Sequence, residues 1–172
     1  DNCAEWNKPV KPFNVYGNTW YVGVEGLSSV LVTSPQGHIL LDGGLPQSAP
    51  LIEANIKALG FRMEDVKLIV NSHAHWDHAG GIAALQKLSG ATVLGSAPAV
   101  AVLRSGQADK RDTQYPNLEV MTPVANTHSV HDGEVVRLGP LAVTAHFTPG
   151  HTMGATSWSW QSSEGGRPMN MV

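Results

Sequence analysis

The chain has a single cysteine, Cys3, among its 172 residues. One cysteine cannot form a disulfide within the chain, so cysteine content indicates neither an oxidising nor a reducing compartment. Two interpretations of Cys3 stay open. It is either a terminal thiol without a role or one half of a disulfide whose partner is absent from this chain.

Basic clusters and long apolar runs are also scarce. The 11 Lys and Arg are outnumbered by 14 Asp and Glu, the net charge is −3, and no basic block occurs, which argues against nucleic acid as a partner. Apolar runs are far shorter than the roughly 20 residues of a membrane-spanning helix, so we expect no membrane partner. No basic-then-apolar leader precedes Asp1, so we expect either a mature secreted chain or a cytosolic one.

What is present is the composition of a globular domain. Hydrophobic residues make up 42% of the chain and charged residues 15%, which is typical of a folded protein rather than a disordered one. The length suits one domain with a buried core. We find no internal repeat and no low-complexity linker. We therefore expect residues 1–172 to belong to a single domain.

The first quarter of the chain has the pattern of antiparallel strands. Residues 20–24 and 29–33 are rich in strand-forming side chains. The sequence SPQG at 34–37 is typical of a tight turn, and residues 38–41 return as an apolar strand. These segments predict a β-meander that ends at Asp42.

Helices and strands alternate after this meander. Apolar residues at helical spacing predict a helix over 49–59, with Ser48 as its N-cap and Gly60 as its stop. The segment 105–126 is irregular and polar and predicts an exposed loop. The other predicted elements are a strand at 66–70, a helix at 82–88, a strand at 92–94, a helix at 98–104, a hairpin of 135–138 with 141–147, and a strand at 157–160. Alternation of this kind is typical of the α/β or α+β class.

A histidine-rich run, HAHWDH, follows the predicted strand 66–70. His73, His75, Asp77 and His78 fall within its six residues, and imidazole and carboxylate are ligands of zinc and related metals. Residues two apart in extended chain point the same way, so His73 and His75 can share one ion. A bend near Trp76 would turn Asp77 and His78 towards a second ion. Two metals about 3.5–4 Å apart can hold one hydroxide between them, so this run, which we place in a loop, predicts a hydrolytic metal site.

His151 and Asp42 are candidates to complete this site. His151 follows a strand and a Pro-Gly turn, and it is the leading candidate for a distant ligand of the first ion. Asp42 either caps the glycines that follow it or orients a metal-binding histidine, and we favour the second interpretation. His128 and His131 are a weaker pair, for which we do not favour a third metal site.

Two of the tryptophans are predicted in loops and three in strands. We expect Trp76 to pack beneath the histidine run, and Trp6 is an open candidate for lining a substrate groove. The strand tryptophans are expected in the core: Trp20, Trp158 and Trp160.

These segments resemble a known family. The sequence HAHWDHAGG at 73–81 resembles the H-x-H-x-D-H motif of the metallo-β-lactamase fold, LLDGG at 40–44 resembles its strand-end Asp-Gly, and TPGHT at 148–152 resembles its next ligand motif. The segments 6–13, 21–30 and 149–158 are similar to the class B, subclass 3 enzymes. The resemblance covers nearly the whole chain.

The resemblance implies a fold, a cofactor and a reaction. The fold would be the metallo-β-lactamase αβ/βα sandwich, here mainly its N-terminal αβ half. His73, His75 and His151 would hold a first zinc, and Asp77 and His78 a second. A zinc-bound hydroxide would attack the β-lactam carbonyl, and Asp77 would orient it and pass a proton to the leaving nitrogen. The substrate would be a small-molecule β-lactam antibiotic, and the compartment the periplasm, with Asp1 as a processed terminus.

The sequence departs from the family in its length. Family members continue for roughly another hundred residues, which carry the last histidine of the second zinc, so we expect an incomplete domain. An uncovered apolar face would then favour pairing with the missing half or with another copy. Alternative functions are a lactonase, a glyoxalase-II-like thioester hydrolase, or a half-domain that binds one zinc without turnover.

Overall fold

Two β-sheets face each other in a computed structural model, which describes residues 2–172. Asp1, interpreted above as a processed terminus, lies outside the described residues. Helices cover the outer face of the larger sheet, and the smaller sheet packs on its inner face. This is the mixed α/β sandwich that the sequence predicted.

The larger sheet has seven strands in chain order. Its first four strands pair antiparallel, which confirms the meander, and its last four pair parallel. The strands are β1 Phe13–Tyr16, β2 Thr19–Tyr21, β3 Val30–Val32, β4 His38–Leu41, β5 Val66–Val70, β6 Thr92–Ser96 and β7 Thr127–Val130. Strands β1 and β7 were not predicted; the side chains of β1 are mostly exposed, and β7 has one apolar residue among its four.

Each parallel connection passes through a helix, as such pairings require. The helices are α1 Asn2–Trp6, α2 Ala49–Ala58, α3 Trp76–Ala79, α4 Ile82–Ser89 and α5 Ala97–Ser105. Buried side chains such as Ile52, Leu85 and Leu103 pack with Leu40 and Ile69 of the sheet in one core cluster. The helices predicted from periodicity are confirmed to within one or two residues at each end.

The capping prediction for α2 is correct at its C-terminal end and wrong at its N-terminal end. Gly60, just past the C-cap, has a φ of +85°, a region that glycine enters at little cost. Ser48 occupies the N-cap position, but its hydroxyl makes no cap hydrogen bond. It accepts from the backbone N–H of Leu45 and donates to Asn7, because a 3₁₀ turn at Pro46–Ser48 precedes the helix.

The smaller sheet has four antiparallel strands that alternate inward and outward. They are β8 Val135–Leu138, β9 Leu141–Phe147, β10 Thr156–Glu164 and β11 Arg167–Met171. Trp158 and Trp160 face the larger sheet, and their indole N–H groups donate to the Asn71 carbonyl at 3.0 Å and to Thr19 Oγ1 at 2.9 Å. Trp20 is partly buried against the helix-side core, so the strand tryptophans lie in the core as predicted.

The outward face of the smaller sheet is mostly polar. Its partly or fully exposed side chains include Thr144, His146, Ser157, Ser159 and Gln161. The expected apolar face, and pairing with the missing half or with another copy, stay predictions.

None of the helices in residues 2–172 is long and apolar enough to cross a membrane.

Candidate metal centre

The predicted site residues meet at the carboxyl end of the parallel strands. His73 and His75 follow β5, and His151 follows β9. The ligand atoms of His73, His75 and His151 all lie within 4.8 Å of one another, and those of His73, Asp77 and His78 do the same. His73 therefore belongs to both groups, which the prediction from spacing did not anticipate.

The backbone of the histidine run changes conformation at His75. His75 is extended (φ −89°, ψ 155°), and residues Trp76–Ala79 then form one helical turn, α3, so the prediction of a loop throughout is wrong. The predicted bend at Trp76 is present, and it turns Asp77 and His78 away from the direction of the preceding residues. Trp76 is partly buried and packs against two core clusters beneath the run.

Gly81 lets α3 approach the end of β4, and Gly80 lets it approach Pro46. A Cβ at Gly81 would collide with the carbonyl oxygen of Gly43, and one at Gly80 would lie 2.5 Å from Cδ of Pro46. The backbone N–H of Gly43 donates to the carbonyl of His78 at 2.9 Å. Close backbone contact therefore fixes the position of the helical turn that carries the candidate ligands.

We predict that Gly81→Ala destabilises both the fold and the site. The added methyl group must displace the Gly43 backbone, which we expect to lower the free energy of unfolding by about 2 kcal/mol and to weaken metal binding. Urea denaturation and metal titration measure these effects. Gly95→Ala is the control, since its Cβ would make only ordinary contact, 3.4 Å from the Cβ of Ala99. Equal losses in the two variants would contradict the prediction.

Asp42 lies at the centre of a hydrogen-bond network. Its carboxylate accepts from Asn71 Nδ2 at 3.0 Å, from Ser72 N at 2.7 Å and from Ser72 Oγ at 2.5 Å. His78 Nδ1 lies 3.2 Å from Asp42 Oδ2. The residue is only 4% exposed and has a φ of +58°, a conformation that Asp adopts more readily than most residues. The carboxylate thus faces the histidine cluster, which supports the favoured interpretation of Asp42.

In both His73 and His78, this network occupies Nδ1 and leaves Nε2 for a metal. Ser72 Oγ gives its proton to Asp42 and can accept from His73 Nδ1, 3.1 Å away, so His73 keeps Nε2 for a ligand. His78 likewise keeps Nε2, because its Nδ1 faces Asp42. A metal-binding histidine characteristically donates its other ring N–H in this way.

His75 presents its other ring nitrogen, Nδ1, to the cluster. Its Nε2 lies 2.9 Å from Asp112 Oδ2, and its Nδ1 lies 3.1 Å from Nε2 of His151. The proton then belongs on Nε2, and Nδ1 keeps a lone pair towards His151 and His73. Three imidazoles with converging lone pairs, beside the Asp77 carboxylate, fit a divalent ion of the zinc class better than calcium or magnesium, which prefer oxygen ligands.

Electrostatics keep His73 in the form that a metal needs. Burial, followed by the charge of His78, lowers the pKa of His73 to about 4, so the ring is neutral at pH 7. Burial also acts to lower the pKa of His78, but the hydrogen bond and charge of Asp42, together with the charge of Asp77, outweigh it, and the pKa is raised. Protons therefore compete with a metal more strongly at His78 than at His73.

Asp112 was not predicted as a site residue. It lies in the segment predicted as an exposed loop, yet its side chain is only 5% exposed. Burial acts to raise the pKa of its carboxyl, but hydrogen bonds from the Gln114 N–H and from His75 outweigh it, and the pKa is lowered. Neither the spacing nor the composition of this loop carries a signal for the contact.

The remaining histidines lie outside the two groups of ligand atoms found in residues 2–172. His38 is buried at the start of β4 with its ring 5.0 Å from that of Phe61, and His146 hydrogen-bonds to Ser159 at 2.7 Å. Within residues 2–172, His128 and His131 are in neither metal-binding group. Trp6 is 40% exposed in α1, and its place in a substrate groove stays a prediction.

Comparison with solved structures identifies a close likeness. MEM-A1, a subclass B3 metallo-beta-lactamase isolated from a soil metagenome library, is 64% identical and superposes with a TM-score of 0.95. The alignment covers 96% of this chain and 62% of that chain. The chain therefore spans less than two thirds of the length of this relative.

Two relatives found by sequence are named for hydrolases other than β-lactamases. The hydroxyacylglutathione hydrolase of Jannaschia sp. (strain CCS1) is 29% identical over 69% of this chain and 37% of its own length. The N-acyl homoserine lactonase of Bacillus sp is 28% identical over 79% of this chain and 58% of its own length. The family model described as the metallo-beta-lactamase superfamily matches residues 22–159. With four-fifths of its length matched and its histidine motifs gathered in one centre, the chain belongs to the metallo-beta-lactamase superfamily.

Proposed function

We propose that the complete protein hydrolyses the amide bond of β-lactam rings with the help of zinc. The observation that carries this proposal is the convergence of His73, His75 and His151 at one position, and of Asp77 and His78 beside it. The likeness to a subclass B3 metallo-beta-lactamase at 64% identity supports the choice of substrate. The proposal places the protein in the periplasm, where β-lactam antibiotics are met, and gives it a role in antibiotic resistance.

The two positions would differ in their protein ligands. The first would take three imidazole nitrogens, a ligand set that leaves a fourth position open for substrate or water. The second would take Asp77 and His78, and the relatives' greater length leaves room for a further ligand outside these 172 residues. We propose two zinc ions for the complete domain.

The chain's own residues would prepare the reaction. When bound, zinc supplies Lewis-acid chemistry, which makes a bound water more acidic and a carbonyl more polar. Asp77 has a side chain that is 33% exposed, with an oxygen 3.6 Å from His78 Nε2. From there its carboxylate can orient the attacking water, take its proton, and return it to the amide nitrogen that leaves. We assign Asp77 as the catalytic residue on this basis.

A comparison of substrates tests the proposal. We expect kcat/KM for a chromogenic cephalosporin to exceed the values for a homoserine lactone and a glutathione thioester by roughly 100-fold, because the sites of one superfamily discriminate through contacts outside the metal centre. Removing metal with a chelator should abolish the activity, and adding zinc should restore it. A preference for the lactone or the thioester would exclude a β-lactamase.

Two other functions have specific support. The names of the Jannaschia and Bacillus relatives favour a thioester hydrolase or a lactonase with the same metal centre. A half-domain that binds one zinc without turnover is a further alternative, and the convergence of the three imidazoles of His73, His75 and His151 is compatible with it. One zinc per chain together with no hydrolysis of the three substrates would support the half-domain.

A further inference from the structure

The 106–121 loop connects α5 to β7 and closes on itself. The backbone N–H of Met121 donates to the carbonyl of Gly106 at 2.9 Å, so the two ends of the loop meet. Compact surface loops with adjacent ends are frequently functional. Most side chains within the loop are exposed, and the carboxylate of Asp112 is an exception at 5% exposure.

Both oxygens of Asp112 are used in defined contacts. Oδ1 accepts from the backbone N–H of Gln114 at 2.9 Å, and Oδ2 lies 2.9 Å from Nε2 of His75. The His75 side chain is only 7% exposed. A small cavity of about 20 Å³ beside this bond is lined mainly by apolar side chains: Ala74, Pro98, Ala99, Val102, Leu118 and Met153. A hydrogen bond in such surroundings is stronger than one in water.

We propose that Asp112 is a positioning residue that holds the proton of His75 on Nε2 and, through the same bond, ties the 106–121 loop to the metal centre. The inference rests on the proposed zinc site. A proton on Nε2 leaves the Nδ1 lone pair directed towards His151, where the three-histidine position lies. An ion at Nδ1 would strengthen the Nε2–H as a donor. Zinc binding and loop docking should therefore stabilise each other, because coupling between two sites is reciprocal.

Asp112→Asn isolates the role of the proton. The amide matches the carboxylate in shape but has one oxygen, and if that oxygen accepts from Gln114, its NH₂ group faces His75. This arrangement favours the proton on Nδ1 and blocks the ligand atom. We expect zinc affinity, measured by competition with a chromophoric chelator, to fall by about 10- to 100-fold. Asp109→Asn is the matched control, since the Asp109 carboxylate pairs with Arg111 in the same loop.

Two further measurements separate positioning from a merely structural role. Long-range ¹H–¹⁵N NMR of the zinc-free protein should show His75 protonated on Nε2 in the wild type and in Asp109→Asn, but shifted towards Nδ1 in Asp112→Asn. Asp112→Glu keeps a carboxylate and should restore part of the affinity. Zinc should protect the exposed Lys110 from trypsin in the wild type and not in Asp112→Asn.

The outcomes are distinguishable. An unchanged His75 tautomer in Asp112→Asn, an affinity equal to that of the control, or a better affinity in Asp112→Asn than in Asp112→Glu would overturn the inference. Failure of the wild type to bind zinc would contradict the proposed function instead, and the tautomer measurement would still decide where Asp112 holds the proton.

Discussion

Replacing His73 with alanine should remove zinc from the three-histidine position and reduce kcat/KM by at least about 1,000-fold, the loss expected when several kcal/mol of metal catalysis disappear. The reason is that His73 Nε2 would be one of the three imidazole ligands of that position, and only His75 and His151 would remain. Elemental analysis of metal per chain, combined with steady-state kinetics on the cephalosporin, measures the two effects. Unchanged metal content would show that the ligand assignment is wrong.

His146→Ala is the control for this substitution. His146 is exposed on the outward face of the smaller sheet, where its Nε2 pairs with Ser159. We expect its replacement to leave metal content and kcat/KM unchanged, because no candidate ligand contacts it. A comparable loss in both variants would indicate a general effect of removing histidine rather than loss of a ligand.

Asp42→Asn should cost about 3 kcal/mol of the free energy of unfolding, because two of the four groups that face the carboxylate would lose their acceptor while buried. Asparagine tolerates a positive φ as aspartate does, so the backbone at this position should keep its conformation. Zinc affinity should fall as well, since His78 loses its anionic partner and Ser72 loses the acceptor that directs it towards His73. Urea denaturation of the zinc-free protein and zinc titration separate the two effects.

Asp132→Asn is the matched comparison. Asp132 is exposed and accepts from a single backbone N–H, that of Phe147 at 2.7 Å. Replacing an exposed acceptor of this kind should lower the free energy of unfolding by less than about 1 kcal/mol. If the two substitutions lower the free energy of unfolding equally, the network around Asp42 contributes no more to stability than one exposed hydrogen bond.

The features that the sequence predicted well are those that neighbouring residues indicate by their periodicity or spacing. Periodic apolar residues mark α2, α4 and β5, and His73 and His75 lie at a spacing that already implies a shared ligand position. The contact between His75 and Asp112 spans 37 residues and ends in an irregular loop, so neither periodicity nor spacing can indicate it. Long-range contacts of this kind follow from how the elements pack, which a single sequence does not encode locally.

The polarity of the smaller sheet's outward face also has a local signal. The run Ser157-Trp-Ser-Trp160 alternates polar and aromatic side chains, and a strand with that pattern turns its serines to one face. That outward face is polar for this reason. That the 172 residues form a single, incomplete domain stays a prediction.

The order of the strands has a consequence for folding. In both sheets every strand pairs with the strand next to it along the chain. The antiparallel pairings within each sheet close through short connections at a small entropic penalty, whereas the three parallel pairings of the larger sheet span helical connections and are expected to form more slowly. Strands can thus be added one after another as the polypeptide leaves the ribosome, and the histidine cluster forms only when β9 and its following turn arrive with His151.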